Sequence, residues 1–242
     1  MGNFKDIIQA EGIKNINLVD YEKERPWDFG NNILYMLCAL HPWHTEDSVI
    51  IAKTNIIGRV YAVQLERNKN RNRGNNYLSS ENYYKDIIAK VFRESEIDRF
   101  LKNVIKMNCS TSSNKDIIEI LKVHKVLQYN IKKCSDIGIN AVSFCSKYLH
   151  FHLPNLFFMY DYRASETIEK IVTDISEFED IIKENKDNIE KVYAKFFYRC
   201  VKLKNALEEK YDSIVTPRMI DNILLDNYIP KEIKQKPFKL TI

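Results

Sequence analysis

Residues 136–164 read DIGINAVSFCSKYLHFHLPNLFFMYDYRA. Gly138 precedes a segment whose apolar residues recur at the spacing of an α-helix, and Pro154 ends that segment. An aromatic run then leads to Asp161 and Arg163 at the start of the next helical pattern. The stretch therefore predicts two consecutive helices with a polar site at their junction.

Helix geometry predicts which side chains of this stretch share a face. If 141–151 form one helix, Asn140, Ser143 and Lys147 lie along one side of it. The turn at Gly138 leaves the first backbone N–H groups of that helix without intrahelical partners, and such a helix end binds anions. Lys147 is therefore predicted to lie on the same side as an anion site.

The sequence on both sides continues in helical patterns. No alternating strand pattern with a hairpin turn and no repeat of 20–50 residues occurs. Thr216-Pro217 is a strong helix start, because a capping hydroxyl precedes a proline at the first helical position. The sequence predicts an all-α fold of about nine or ten helices in one domain over 1–242, with a division into subdomains 1–110 and 111–230 left open and a basic tail at 231–242. The predicted helices outside the opening stretch are 31–40, 46–67, 80–92, 96–107, 115–133, 165–173, 176–186, 189–211 and 216–227.

Composition limits the class of protein. The chain has 242 residues, 45% hydrophobic and 29% charged, which is typical of a globular domain. It has no apolar run of about 18 residues and no signal-peptide pattern at its start, so we expect a cytoplasmic protein without a membrane partner. Five scattered cysteines without a C-x-x-C pair indicate free thiols.

The net charge of +4 is small, but the basic residues are clustered. One cluster lies in a loop without apolar residues that follows the predicted helix 46–67. Such a cluster contacts phosphates without reading sequence, so it predicts a nucleic-acid partner. The residues assigned to this contact are Arg59, Arg67, Lys69, Arg71 and Arg73.

The turn Ile137-Gly138-Ile139-Asn140-Ala141, followed about twenty residues later by Asp161, resembles the second half of the hairpin in the helix-hairpin-helix DNA glycosylases. The similarity is to the 8-oxoguanine DNA glycosylase branch in particular. It implies a glycosylase-like helical fold and a role in DNA repair, with Gly138 and Asn140 holding a DNA phosphate. It also implies that Asp161 serves as the catalytic carboxylate. The residue run 157–164 is similar to the family's approach to its aspartate, and Arg163 within it is assigned to nucleic-acid binding.

Two positions differ from the family pattern. Asp136 stands where the hairpin has its first glycine, and Asn140 stands where bifunctional members have a nucleophilic lysine. Lys147 is the candidate substitute, as nucleophile or phosphate ligand. A base flipped out of the DNA stack needs an aromatic pocket. The residues predicted to form that pocket are Tyr148, His150, His152, Phe158 and Tyr160.

Two other functions remain open on the sequence. One is a non-catalytic helical module that binds nucleic acid or a protein. The other is an N-glycosidase that acts on free nucleosides or nucleotides, as a toxin or an antiviral effector. No cofactor is predicted. No metal site is predicted either, because His150 and His152 lie two residues apart and point in different directions on a helix.

Overall fold

A computed structural model describes residues 18–68, 79–107, 113–134 and 140–228. Within these ranges the chain forms eleven helices and no strand, which confirms the all-α prediction. The number of helices is one more than the upper value of the predicted nine or ten. Gly138, Lys69, Arg71, Arg73 and the tail 231–242 lie outside the described residues. The helices are α1 (Val19–Glu22), α2 (Asp28–Leu40), α3 (Asp47–Val60), α4 (80–93), α5 (Ile97–Val104), α6 (Asn114–Lys132), α7 (Val142–His152), α8 (Tyr162–Ile171), α9 (Ser176–Glu184), α10 (Lys191–Tyr211) and α11 (Pro217–Asp226).

Side-chain caps fix the start of several helices. The Ser113 hydroxyl accepts a hydrogen bond from the Asp116 backbone N–H, and the Asp116 carboxylate accepts one from the Ser113 N–H, which makes a capping box at α6. At α11, the Thr216 hydroxyl accepts from the Met219 N–H at 3.2 Å, and Pro217 occupies the first turn. The start predicted at Thr216-Pro217 is confirmed.

The helix predicted over 46–67 ends earlier, at Val60. Ala62 adopts a left-handed conformation with φ of 55°, and the Val63 N–H donates to the Gly58 carbonyl at 2.8 Å. A Cβ atom at Gly58 would lie 3.4 Å from the Cα of Gln64, so the chain turns back directly over this glycine. A short 3₁₀ turn, Leu65–Asn68, follows. The reversal of the chain at Ala62 and Val63, directly over Gly58, therefore ends the helix.

The helix α4 changes its winding along its length. Its ends, Ser80–Asn82 and Lys90–Arg93, are α-helical, and its centre, Tyr83–Ala89, is π-helical. The wider winding is uncommon over seven residues. The π segment packs against α3.

The core is organised around α7. This helix packs against α2, α3 and α6, and all but two of its eleven residues are buried. Beyond it, α8 packs against α10 and α11. Because the connection from α7 to α8 carries Asp161, this residue lies where the two groups of helices meet. Replacing a central side chain such as Phe151 by alanine is expected to cost about 3–5 kcal/mol of stability.

Within the described ranges, every helix is too short or too polar to cross a lipid bilayer.

Candidate functional site

A cavity of about 960 Å³ opens beside the junction of α7 and α8. Residues between Ser143 and Arg163 supply one wall, and α2, α3 and α11 supply the others. The predicted catalytic residues, Asp161 and Lys147, both line this cavity, and so does Arg163. The structure thus brings these three predicted site residues together in one pocket.

Lys147 is held against the backbone that follows α7. Its Nζ donates to the Ser143 hydroxyl at 2.8 Å and to the Tyr160 carbonyl at 2.6 Å. The side chain is 5% exposed, and burial lowers the pKa of the amine, although the charges of Asp161 and Asp221 oppose the shift. A neutral lysine amine has two N–H groups, and these two acceptors satisfy both. The two acceptors therefore match the hydrogen-bonding capacity of the neutral amine.

Asp161 serves as the N-cap of α8. Its Oδ1 accepts from the Ala164 N–H at 2.9 Å, and its Oδ2 lies 3.5 Å from the Arg163 guanidinium. The side chain is about one-quarter exposed, at 27%. Capping accounts for an aspartate at this position without any chemistry. Among the described residues, its Oδ2 has one long contact, with Arg163. Because the cap uses the other oxygen, Oδ2 can also take part in catalysis.

The opposite wall contains an ion pair that sequence reasoning missed. Arg218 donates to the Asp221 carboxylate at 2.8 Å and approaches Asp28 at 3.4 Å. Asp221 is buried, which raises the pKa of its carboxyl to about 6 against the opposing charges of Arg218 and Lys147. Among the described residues, the buried Nε of Arg218 has no hydrogen-bond partner. The available signal was Asp221-Asn222 inside the apolar run of α11, since polar residues at core positions are unusual.

A second arginine and an exposed tryptophan stand at the edge of the cavity. Arg25 pairs with Asp226 at 2.7 Å, and Trp27 is 59% exposed. The sequence predicts no role for this segment. No sequence pattern within the segment from Arg25 to Trp27 indicates that it reaches the site, because its position depends on how the chain before α2 packs near α11.

Of the other predicted nucleic-acid residues, those that the structure describes do not line the cavity. Asn140 is exposed and bonds to Gln128 at 3.4 Å. Arg59 pairs with Glu66 at 3.0 Å and also bonds to Asn55. Arg67 donates to the Gln64 side chain at 2.8 Å. These arginines have partners within the chain and are not aimed at the cavity.

The side chains predicted to form an aromatic base pocket pack mainly into the core. The five side chains assigned to it are absent from the described lining of the cavity, since α7 is the central helix and most of its rings pack inward. The His150 Nδ1–H donates to the Phe157 carbonyl at 2.7 Å, which leaves its Nε2 to accept from the Tyr35 hydroxyl. Three of the five, Tyr148, His150 and Phe158, are at most 1% exposed. The ring of His152 lies 5.3 Å from that of His44, and the ring of Tyr160 packs against Phe196.

A buried polar relay lies on the inner side of α7. The His44 Nδ1–H donates to Asp98 at 2.5 Å, and its Nε2 accepts from the Tyr148 hydroxyl at 2.7 Å. His44 and Tyr148 are buried in the core, whereas the Asp98 side chain is 27% exposed. In the described part of the chain, no three His, Cys, Asp or Glu side chains are grouped so that they could hold a metal ion.

Comparison of the chain with protein-family models, with curated proteins and with solved structures finds no match. Its function must therefore be inferred from the cavity and the groups that line it.

Proposed function

We propose that this chain is a DNA N-glycosylase-like enzyme that cleaves the bond between a base and its sugar at the cavity between α7, α8 and α11. The observation that carries the proposal is the presence of Lys147 and Asp161 in one cavity, with the lysine amine largely desolvated. The cavity volume falls in the range of about 300–1,000 Å³ that small-molecule sites occupy, which suits a flipped nucleotide.

The chemistry assigns a role to each group. Departure of the base builds positive charge on the sugar, and the Asp161 carboxylate stabilises that charge. The Lys147 amine attacks the sugar carbon as the bond to the base breaks, and the electron pair of that bond leaves with the base, which takes up a proton. The lowered pKa of Lys147 favours this role because it increases the neutral, nucleophilic fraction of the amine. If Lys147 instead holds a phosphate, a water activated by Asp161 is the nucleophile.

Charge around the cavity supports a nucleic-acid substrate. Arg163 is 57% exposed at its side chain, and its ion pair with Asp161 is long at 3.5 Å. A guanidinium in this situation is available to bind a phosphate at the cavity mouth. Sequence-independent contact of this kind positions a strand without selecting a base.

A single-turnover experiment tests the proposal. Wild type and Asp161→Asn are incubated with duplex and single-stranded oligonucleotides that carry oxidised, alkylated or deaminated bases. Asparagine keeps the cap to the Ala164 N–H and removes only the charge, so the variant should fold normally and release base at least about 100-fold more slowly. Asp174→Asn is the matched control, because Asp174 also accepts a backbone N–H at a helix start, from Ser176, and does not line the cavity. Base release at the wild-type rate in Asp161→Asn would overturn the assignment.

Borohydride trapping separates the two possible nucleophiles. An adduct with DNA that disappears in Lys147→Met identifies the amine as the nucleophile. Lys53→Met is the control, since Lys53 is also buried and donates to backbone carbonyls, at His41 and Trp43, away from the cavity. Base release without trapping assigns the attack to water.

A non-catalytic binding module is the second candidate, and the cap formed by Asp161 favours it, because the cap alone explains this residue. Binding to the same oligonucleotides without base release, unchanged in Asp161→Asn, supports that function.

Free nucleosides and nucleotides in the substrate panel test the third candidate function, an N-glycosidase that acts on small molecules. Release of base from these alone assigns the enzyme to small-molecule substrates.

A further inference from the structure

The outer face of α2 is apolar, and none of the residues that the structure describes covers it. Phe29, Ile33, Met36 and Leu40 are 71%, 52%, 62% and 72% exposed. Their spacing of four, three and four residues puts them on one side of the helix. We call these four residues the α2 stripe.

The α2 stripe continues into exposed apolar residues of the neighbouring segments. Trp27, at the N-cap of α2, and Ile56 and Val60, on the adjacent α3, are 59%, 40% and 61% exposed. Together with Ile33 these three residues also line the cavity. The stripe and the cavity mouth therefore form one continuous apolar surface.

The size of the α2 stripe is that of a small specific interface. At roughly 200 Å² for a large side chain, its four residues expose about 500 Å² of apolar area, so two copies together bury about 1,000 Å². This reaches the roughly 1,000 Å² of total buried area that a specific protein interface needs. Large contiguous apolar patches on soluble proteins mark interaction sites.

Charge identifies the kind of partner. The sequence from 29 to 45 contains no Asp, Glu, Lys or Arg, although these make up 29% of the chain. The stripe therefore offers no group to pair with phosphates or with a charged peptide. A helix face with heptad-like spacing packs best against another apolar helix of the same spacing. A second copy of this chain supplies that face without any charge repulsion, and twofold pairing uses the same patch on both copies.

We propose that two copies of this chain form a dimer through their α2 stripes. Each copy buries Phe29, Ile33, Met36 and Leu40 against the partner. Because Ile33 belongs both to the stripe and to the cavity lining, the partner lies against one edge of the cavity mouth. The proposal goes beyond the proposed glycosylase activity and does not depend on it.

Sedimentation velocity of the full chain over a series of micromolar concentrations, without nucleic acid, tests the proposal. The wild type should sediment as a dimer, and Met36→Glu should raise the dimer dissociation constant at least about tenfold, because a carboxylate is then buried at the centre of the seam. Ile214→Glu is the matched control, since Ile214 is 81% exposed and lies far from α2 in the sequence. It should remain dimeric.

Leu40→Glu, at the other end of the stripe, provides a second variant. Both stripe variants should keep the wild-type circular dichroism spectrum, because the substituted side chains are exposed in the single chain. A wild type that is monomeric at every concentration would overturn the proposal, and so would a Met36→Glu or Leu40→Glu protein that is as dimeric as the control. A monomeric wild type that still releases base would refute the dimer alone, and a dimer without base release would refute the enzyme alone.

Discussion

Asp161 combines two roles that two substitutions at this position separate. As N-cap it satisfies the Ala164 N–H, and as a carboxylate it places a negative charge in the cavity beside Lys147. Asparagine retains the first role and removes the second, whereas alanine removes both.

The cap makes a quantitative prediction for stability. Asp161→Ala should lower the free energy of unfolding by about 1 kcal/mol, and Asp161→Asn should change it by only a few tenths of a kcal/mol. Urea unfolding of the two variants measures the difference. Equal losses of stability in both variants would show that the charge of Asp161, and not its cap, stabilises the protein.

The chain adopts the same left-handed backbone conformation just after the C-terminal ends of α3 and α10, but with different residues. Ala62 has φ of 55° and Asp212 has φ of 48°, both in the left-handed region. A residue with a Cβ atom pays about 1–2 kcal/mol there, although aspartate tolerates the region better than alanine.

Glycine should therefore stabilise the protein more at one end than at the other. Ala62→Gly removes the strain but adds entropy to the unfolded chain, so the expected gain is about 0.5–1 kcal/mol. Asp212→Gly should gain less, because the native residue is already tolerated. The shift in thermal midpoint of each variant checks the order, and a larger gain at Asp212 would contradict it. Since Ala62 lines the cavity, base release by Ala62→Gly would also show whether this wall tolerates change.

The elements show what the sequence predicts and what it leaves out. Local signals suffice for the start of α6 at Ser113 and of α11 at Thr216, because a cap is a contact between residues three apart. The end of α3 was predicted seven residues too late, since it depends on the chain passing back over Gly58. The π-helical centre of α4 has no sequence signature that we could use.

The candidate site divides in the same way. Lys147 and Asp161 were predicted because one continuous stretch supplies both. Arg218 and Asp221 reach the cavity through the packing of α11 on α8, which pairs segments about fifty residues apart. The aromatic residues of α7 were assigned to a base pocket because sequence gives the face of a helix but not which face meets the core.

Across the whole molecule, the buried histidines and the cavity occupy different regions. Burial lowers the pKa of His124 to about 3 and that of His150 to about 4, and it also lowers the pKa of His44 and of His152. The pKa of the Asp221 carboxyl in the cavity shifts in the opposite direction, because burial raises it to about 6.

These shifts predict how stability depends on pH. The unfolded chain protonates the four histidines near pH 6.5, whereas the folded chain does so only at lower pH, so folding stability falls as pH drops from about 6.5 towards 4. Between about pH 6 and pH 4 the folded chain takes up a proton at Asp221 that the unfolded chain does not, and this offsets one histidine proton. The pKa values of His124, His150 and His152 lie far below 6.5, so three less one leaves a net difference of about two protons, and hence a loss of about 3 kcal/mol per pH unit at the steepest point.

Urea unfolding at half-unit steps from pH 8 to pH 4 measures this dependence. The free energy of unfolding should fall steeply below pH 6.5 and rise slightly between pH 7 and pH 8, because the folded chain loses the proton of Lys53, whose pKa is lowered to about 8, before the unfolded chain does. In Asp221→Asn the offsetting proton is absent, so the fall between pH 6 and pH 4 should become steeper than in the wild type. His41, the fifth histidine, is exposed, and His41→Gln is the control that should leave the curve unchanged. If the free energy of unfolding is constant from pH 7 to pH 5, the histidines do not cause the pH dependence. If the Asp221→Asn curve is parallel to that of the wild type, the Asp221 carboxyl does not titrate in this range.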